Sequence, residues 1–488
     1  MSDIVTGNRT DVDTLADAPL APVVALRDDG DAGEREALRT FIEASRLHRR
    51  GQLEAAVAGY TRTLSVSPRH ADAYNNLGVA MRSLGRLEAA VACYRRSLAI
   101  RPDDAGIHSN LGNALRELVR YSRAAVSHQQ AVTLAPQSPV AVFNLGLVLR
   151  DLGHLDEAIG CFERALAIRP DYVDCRWERA LTFLQKGDFQ RGFQDYAWRS
   201  ALRCSLRRPL EQPVWEGDDL AGRRLLIHLD QGYADMVQFA RYLPLAAARG
   251  GSVIVECPDD LYRLFSTVPG VDSVVTTGQT LPDFDVQAPL ATLPVLFGTR
   301  LDTIPDRIPY MSVPQLPKHG LTRDDTGNLK VGIAWSGNAA HLDSPSATCP
   351  LQQFVDLTEL RGVSFYSLQS GRASGERRSR ACDALIHDVG GTDGDFADLA
   401  AVVSEMDLVI SVDSTVAHLA GALGRPVWVL LPFVSDWRWM TEREDSPWYP
   451  SMCLFRQERH GDWDSTFARI REALDEARRV TASHRKAS

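Results

Sequence analysis

The sequence has little that could cross-link it or bind a metal ion. Its 488 residues include eight cysteines, which are scattered, with no C-x-x-C pair and no nearby histidine at metal-ligand spacing. Disulfide frameworks and zinc sites both need cysteines at short, regular spacings. We therefore expect reduced cysteines in the core, no metal site and no bound cofactor.

The sequence also lacks a segment that could span a membrane or direct export. No stretch approaches the roughly 18 apolar residues of a membrane helix, and the first residues show no basic region followed by an apolar run. The formal net charge of -9 disfavours attraction to nucleic acid or to anionic lipid. These absences predict a cytoplasmic protein with no nucleic-acid partner.

Residues 1–33 are rich in Asp, Ala, Gly and Thr and show little periodic apolar pattern. Such a segment buries too little apolar surface to offset its chain entropy. It is predicted to be a disordered acidic leader.

A period of 34 residues runs through the predicted repeat region, 34–203. Its clearest marker is a proline at the same place in each unit, at Pro68, Pro102, Pro136 and Pro170. A glycine recurs in the same way at Gly51, Gly85, Gly153 and Gly187, with Val119 breaking the series. Each unit is typical of two helices joined at a glycine turn and ended by proline. Its length and residue order resemble the tetratricopeptide repeat, so we expect an α-solenoid of about five helical hairpins.

Three asparagines recur with the same period, at Asn76, Asn110 and Asn144, each followed by Leu and Gly. A carboxamide offers both a donor and an acceptor, so such a row can bind an extended peptide backbone on the concave face. The row resembles the one lining the repeats of eukaryotic O-GlcNAc transferase, which implies an acceptor polypeptide or partner protein. Alternatively, these asparagines only bond to neighbouring turns.

The composition changes after a predicted connector, 204–222. Short β-rich runs then alternate with helical segments, which predicts parallel sheets with crossover helices. We expect two Rossmann-type α/β lobes, 223–314 and 329–488, the second with a C-terminal helix, joined by a linker at 315–328. Ligands of such sheets bind beyond the carboxyl ends of the strands.

The segment 407–432 reads DLVISVDSTVAHLAGALGRPVWVLLP. A buried strand ends in Asp413, Ser414 and Thr415, and the helix that begins there carries His418 at the expected lip of a cleft. Helix-start amides and hydroxyls suit a diphosphate. The run resembles the donor motif of bacterial heptosyltransferases and of their relatives with tetratricopeptide repeats, which implies that all four residues contact a nucleotide sugar. Alternatively, Asp413 or Ser414 caps the helix and His418 packs against the sheet.

The first lobe offers a carboxylate just after its first strand, in the loop QGYAD, where Gly232 allows a tight turn and Asp235 falls near a helix start. The resembling families usually read Q-G-x-G-D here, which implies a general base at Asp235. This sequence has Ala234 in place of the second glycine. Asp235 could instead only cap its helix.

Further donor contacts are predicted on the loop Trp335-Ser336-Gly337-Asn338 and at Gln369. The relatives typically continue this loop with basic residues, whereas here His341 is the only candidate cation. If His341 is neutral, Arg438 or Arg372 would have to stabilise the departing diphosphate, or catalysis would be weak. Trp437 either stacks on a ligand or packs, and we expect Trp448 and Tyr449 to pack.

Together, the resemblances imply a glycosyltransferase with two lobes of the GT-B type. They predict metal-independent transfer of a sugar from a nucleotide-diphosphate donor to an acceptor, which we expect to be a protein on the solenoid. Two alternatives stay open: a transferase acting on a glycan or lipopolysaccharide, and a protein-binding scaffold with a degenerate transferase domain.

Overall fold

The computed structural model describes residues 32–196, 198, 210–229, 232–314, 327–337, 348–371, 373–379, 382, 384–389 and 394–487. Most of the predicted leader and interlobe linker lies outside these residues, as do Asn338, His341 and Arg372. The chain divides into two compact units between Thr182 and Phe183. The predicted end of the repeat region, at residue 203, lies beyond this division.

The first unit consists of antiparallel helix pairs, as the 34-residue period predicts. The helices are α1 (Ala32–Arg49), α2 (Leu53–Val66), α3 (Ala71–Ser83), α4 (Leu87–Ile100), α5 (Ala105–Glu117), α6 (Tyr121–Leu134), α7 (Pro139–Asp151), α8 (Leu155–Ile168) and α9 (Val173–Lys186). The first helix of three successive pairs is capped at the same position, by the side chains of His70, Asp104 and Ser138. Each cap satisfies a backbone N–H that has no partner inside the helix.

Small residues let the two helices of a pair approach closely. A Cβ atom on Gly78 would lie 2.6 Å from the Tyr94 ring, and one on Gly146 would lie 2.6 Å from the Phe162 ring. Gly112 faces His128 in the same way, at 2.5 Å. In each unit, the ring at this position of the second helix therefore packs directly against a glycine of the first helix. One unit has a histidine, His128, in place of the phenyl ring.

Buried ion pairs, which were not expected from the sequence, link successive units. Arg82 Nε lies 2.5 Å from Glu117 Oε1, and Arg116 pairs with Asp151 one repeat later. Arg150 continues the series by pairing with Glu178. The arginines recur every 34 residues, on the first helix of each of these units. The ion pairs therefore form a row along the solenoid.

Val119 occupies the position that glycine holds in the other repeat turns, and its φ of 60° lies in the left-handed region. An L-residue with a branched Cβ costs about 1–2 kcal/mol there. We expect Val119→Gly to stabilise α5 and α6 by about 1 kcal/mol, because glycine's greater freedom in the unfolded chain offsets part of the relief. Hydrogen exchange of these helices in the full chain would measure it.

The reciprocal change is the control. Gly85 has φ 71° and open space around its missing side chain. Gly85→Val should lower protection of α3 and α4 by a similar amount. Unchanged exchange in Val119→Gly would show that the turn relaxes without cost.

The second unit contains two parallel sheets. The first has the strand order β3-β2-β1-β4, with β1 (Arg224–His228), β2 (Ser252–Cys257), β3 (Ser273–Thr276) and β4 (Val286–Pro289). Its helices are α11 (Tyr233–Phe239), α12 (Leu243–Ala247), α13 (Tyr262–Phe265) and α14 (Leu293–Leu296). A further helix, α10 (Phe189–Tyr196), precedes this sheet and belongs to the same unit.

The second sheet has the order β10-β9-β8-β5-β6-β7. Its strands are β5 (Leu329–Ala334), β6 (Val363–Ser367), β7 (Ile386–Asp388), β8 (Leu408–Val412), β9 (Val427–Leu431) and β10 (Met452–Arg456). The accompanying helices are α15 (Leu351–Leu357), α16 (Ser374–Ser379), α17 (Phe396–Ser404), α18 (Thr415–Ala422) and α19 (Trp463–Ala487). The predicted fold class, a tetratricopeptide-type solenoid followed by Rossmann-like parallel sheets, is thus confirmed.

Candidate functional site

The strand order of the second sheet places two predicted loops side by side. Strands β5 and β8 are neighbours, with Ala334 paired to Ser411, and the direction of strand addition reverses between them. Such a switch point opens a crevice at the carboxyl ends of the strands. The loop that starts at Trp335 and the motif that starts at Asp413 both begin at this edge.

The loop after β5 is held from behind by Gln369. Its carboxamide oxygen accepts hydrogen bonds from the backbone N–H of Trp335, at 3.1 Å, and of Ser336, at 3.0 Å. The Trp335 ring is buried, and its Nε1 donates to Glu376 Oε2 at 3.1 Å. These contacts make Trp335 and Gln369 supports of the loop, where the sequence analysis predicted direct donor contacts.

The front of this loop is more open. Gly337 is partly exposed, and the buried Ser336 hydroxyl has no hydrogen-bond partner within the described residues. Asn338, the fourth predicted contact, lies outside them. Of the predicted donor contacts on this loop, Ser336 and Gly337 are therefore the described residues that could still bind a ligand.

Ser414 caps α18 as the alternative interpretation expected. Its hydroxyl accepts from the Ala417 N–H at 3.3 Å and lies 2.7 Å from the Ser411 hydroxyl. Thr415 is the first residue of the helix, and the Asp413 side chain stays 33% exposed at the strand end. The cap fixes the helix start, so Asp413 and Thr415 flank the crevice.

His418 is buried, which corrects its predicted position at the lip of the cleft. Its ring is 1% exposed, packs against Trp439, and places Nδ1 3.0 Å from the Tyr449 hydroxyl. Burial, together with the charges of Arg438 and Arg241, lowers the pKa of His418 well below its usual value. The imidazole is therefore neutral, and it packs beneath the start of α18, where Asp413 and Thr415 lie.

The other lobe contributes Asp235, from the first turn of α11. Gly232 caps this helix with extended backbone, and α11 packs against α18. The Asp235 carboxylate forms an ion pair with Arg438, and their side chains are 15% and 10% exposed. The predicted base and the predicted donor cation are thus brought together, from opposite lobes of the second unit.

Arg438 is held by two further groups. Its Nη1 donates to Asp436 Oδ1 at 2.8 Å, and its Nε donates to Gln238 Oε1 at 2.5 Å. Burial disfavours the charge, yet Asp436 and Asp235 raise the pKa of Arg438. Burial and then the charge of Asp436 raise the pKa of Asp413 to about 7.

Sequence reasoning assigned no role to Asp436, Gln238 or Arg241. Arg241 is buried and donates to the Trp448 carbonyl at 2.6 Å, which joins α11's lobe to the C-terminal segment. Asp436 caps the short turn that carries Arg438. A useful signal was present, because polar residues spaced along an otherwise apolar helix, such as Gln238 and Arg241, seldom face a core without partners.

Aromatic rings of α10 support the Arg438 turn from the other side. Phe193 and Tyr196 contact the Trp437 ring at centroid distances of 5.9 and 6.3 Å, and Phe189 stacks on Trp448 at 5.4 Å. Trp437, Trp448 and Tyr449 are all buried. This confirms packing for Trp448 and Tyr449, and it favours packing for Trp437.

The three predicted peptide-binding asparagines lie in the first unit, at equivalent positions of α3, α5 and α7, and all are buried. Asn110 Nδ2 donates to Asn75 Oδ1 at 3.0 Å, and Asn144 Nδ2 donates to Ser109 Oγ at 3.1 Å. These bonds between repeats match the alternative in which the asparagines bond to their neighbours. Peptide binding stays a prediction for Asn76, Asn110 and Asn144.

Within the described residues, no helix is both long and apolar enough to cross a bilayer. The same part of the chain contains no cluster of three or more His, Cys, Asp or Glu side chains arranged to bind a metal ion.

The fold and the site define a protein that combines tetratricopeptide repeats with a glycosyltransferase-like α/β region. The profile "TPR repeat" matches residues 80–119 and 146–187. The profile "Glycosyltransferase family 9 (heptosyltransferase)" matches 374–431, a segment that runs from α16 to the end of β9 and includes the Asp413 motif. Asp235, the Trp335 loop and Arg438 lie outside the matched segment.

Among curated proteins, the chain is similar to Protein FlbA of Caulobacter vibrioides, with 29% identity over 341 residues. The alignment covers 62% of this chain and 55% of that protein, so the chain spans about half the length of this relative.

Solved structures to which the chain is similar include two bacterial proteins. MamA of Desulfovibrio magneticus is 20% identical, with 33% of this chain and 92% of that chain covered and a TM-score of 0.32. PilF of Pseudomonas aeruginosa is 24% identical, with 35% and 78% covered and a TM-score of 0.33.

Proposed function

We propose that this protein transfers a sugar from a nucleotide-diphosphate donor to an acceptor protein recruited by the repeats. The observation that carries the proposal is the convergence at one crevice of the motif matched to glycosyltransferase family 9 with a carboxylate, Asp235, and a guanidinium, Arg438. Nucleophilic substitution at a sugar needs both kinds of group. A base accepts the proton of the nucleophile, and a cation stabilises the leaving diphosphate.

In the proposed reaction, an acceptor hydroxyl gives its proton to the Asp235 carboxylate while its oxygen forms a bond to the anomeric carbon. The bond between that carbon and the diphosphate oxygen breaks, and the electron pair leaves with the nucleoside diphosphate. Arg438, the backbone amides of Ser414 and Thr415, the Thr415 hydroxyl, and the Ser336–Gly337 backbone would bind the phosphates. Gln369, Trp335 and His418 would hold these groups in place, and no metal ion takes part.

A protein acceptor is proposed because tetratricopeptide repeats are a protein-binding architecture. The row of Asn76, Asn110 and Asn144 would bind the acceptor backbone. The nucleotide sugar is the second substrate, and no resident cofactor is required.

The test is transfer itself. Purified full-length protein, incubated with UDP-, GDP-, ADP- and dTDP-sugars and with extract proteins, should release one nucleoside diphosphate and add the mass of one sugar to a protein. Asp235→Asn should lower this rate about 10²–10⁴-fold, the usual contribution of a general base. Asp260→Asn is the matched control, because Asp260 accepts a hydrogen bond from the Tyr233 hydroxyl of α11, at 2.8 Å, and has no role in the proposed reaction.

The results of this transfer assay distinguish the proposed protein glycosyltransferase from the two alternatives, a glycan or lipopolysaccharide transferase and a degenerate scaffold. Addition of the sugar to a glycan or lipid would replace the protein acceptor. Binding of a nucleotide without turnover would identify a scaffold with a degenerate site, and full activity in Asp235→Asn would remove the base assignment.

A further inference from the structure

Arg438 is held by three side chains in the structure. Its three guanidinium nitrogens each bond to a different one: Nη2 to Asp235, Nη1 to Asp436 and Nε to Gln238. Two of these partners, Asp235 and Gln238, come from α11 of the first lobe, whereas Asp436 caps the turn on which Arg438 itself lies. A donor phosphate that approaches the guanidinium therefore competes with the two carboxylates already bound to it.

The local charge favours such a competition. Two carboxylates, of Asp235 and Asp436, bond to this one guanidinium, and the nearby Arg241 is occupied by the carbonyl of Trp448 and the hydroxyl of Tyr310. A diphosphate would bring further negative charge to a site that already has an excess. Like charges at short range are repulsive unless a cation is shared between them.

Of the three partners, Asp235 is the one that can be displaced. Asp436 is tied to Arg438 twice, through Nη1 at 2.8 Å and through the backbone N–H at 3.0 Å. Gln238 is 0% exposed. Asp235 comes from the other lobe and bonds to Arg438 through Nη2 alone, whereas Asp436, although more exposed, caps the turn that carries Arg438.

We infer that Arg438 exchanges partners during the reaction, releasing Asp235 when it binds the donor diphosphate. This exchange rests on the proposed function, and it couples donor binding to the release of the Asp235 carboxylate. A carboxylate paired with a guanidinium is a poorer proton acceptor than a free one. Asp235 is therefore restrained as a base until the donor is bound, and the ion pair makes donor binding a precondition for activating the acceptor.

Asp235→Asn is expected to strengthen diphosphate binding and to abolish sugar transfer. Asp235→Asn removes the carboxylate that competes with phosphate for Arg438, so binding of the matching nucleoside diphosphate should become about tenfold tighter, although transfer is lost. Binding of the corresponding nucleoside, which lacks phosphate, should not change. A merely structural ion pair would give the reverse, because its loss would loosen the site and weaken both ligands.

The experiment is titration calorimetry of the full-length protein with UDP, GDP, ADP and dTDP and with their nucleosides. Wild type, Asp235→Asn, Asp235→Ser and the control Asp260→Asn are compared, with a thermal scan of each. Tighter diphosphate binding by either Asp235 variant that folds, with unchanged binding by Asp260→Asn, supports the exchange.

Equal or weaker diphosphate binding by folded Asp235 variants overturns the exchange but leaves the proposed function intact, because the wild type still binds a nucleotide. If the wild type binds none of the four diphosphates, the donor assignment and the exchange are both wrong.

Discussion

Replacing Arg438 with glutamine is expected to reduce sugar transfer about 10²–10³-fold, the typical loss when one group that stabilises developing negative charge is removed. Arg438 is buried at the crevice, where a charge acts through a medium less polarisable than water. The loss should fall mainly on kcat, because the diphosphate gains charge as the glycosidic bond breaks. Steady-state kinetics with the donor identified by the release assay would measure it.

Arg438→Lys should recover only part of the rate. A lysine keeps the positive charge, but it cannot reach Asp436, Gln238 and a phosphate with a fixed planar fork. Arg443→Gln is the matched control, because Arg443 lies in the same segment and pairs with Asp445 at 2.6 Å. If Arg438→Gln retained full activity, Arg438 would not be the group that stabilises the leaving diphosphate.

The second large effect is expected in the solenoid, at His128. This residue fills the position held by Tyr94 and Phe162 in neighbouring repeats, it is 0% exposed, and neither ring nitrogen has a hydrogen-bond partner among the residues described. Burial, with a smaller contribution from Arg116, lowers the pKa of His128 to about 3. Unpaired buried polar atoms each cost about 1–3 kcal/mol.

The pH dependence follows from this pKa. Between about pH 6.5 and about pH 3 the unfolded chain binds a proton on His128 and the folded chain does not. The stability of the solenoid should therefore fall with decreasing pH in this window, by about 1.4 kcal/mol per unit from this group. His128→Phe should abolish that contribution and stabilise α5 and α6 by about 1–3 kcal/mol at pH 7.

Hydrogen exchange of α5 and α6 in the full chain, at pH 7 and pH 5 after correction for the intrinsic exchange rate, would measure both effects. Tyr94→Phe is the control, since it changes the equivalent position of the preceding repeat without removing a group that titrates in this range. An identical pH dependence in wild type and His128→Phe would show that the histidine is protonated, or exposed, in the folded solenoid.

The repeat architecture could be predicted from the sequence because its determinants are local. A proline ends each second helix, and a glycine adopts the left-handed turn, as Gly85 does with φ 71°. The break at Val119 was also visible, although only the structure shows that valine takes the same conformation, with φ 60°. Neighbouring units contact each other at fixed sequence spacing, so the periodicity determines the packing.

The parallel sheets were predicted in part. The apolar strand β8 (Leu408–Val412) was expected from the sequence, whereas no strand was expected at β4 or β7. β4 and β7 contain only four and three residues. Strands of this length carry too few apolar positions for a pattern, and they exist because an adjacent strand supplies their hydrogen bonds.

By itself, the sequence determined the repeat array, the Rossmann-like sheets and the motif from Asp413 to His418, because these depend on periodicity and on residues close in the chain. Only the tertiary structure decided which predicted residues face the crevice. It buried His418, turned Gln369 and Trp335 into supports, and joined Asp235 to Arg438 across 203 positions of sequence. The physical reason is that a polar side chain's role depends on its burial and on its partners' charges, and packing between distant segments sets both.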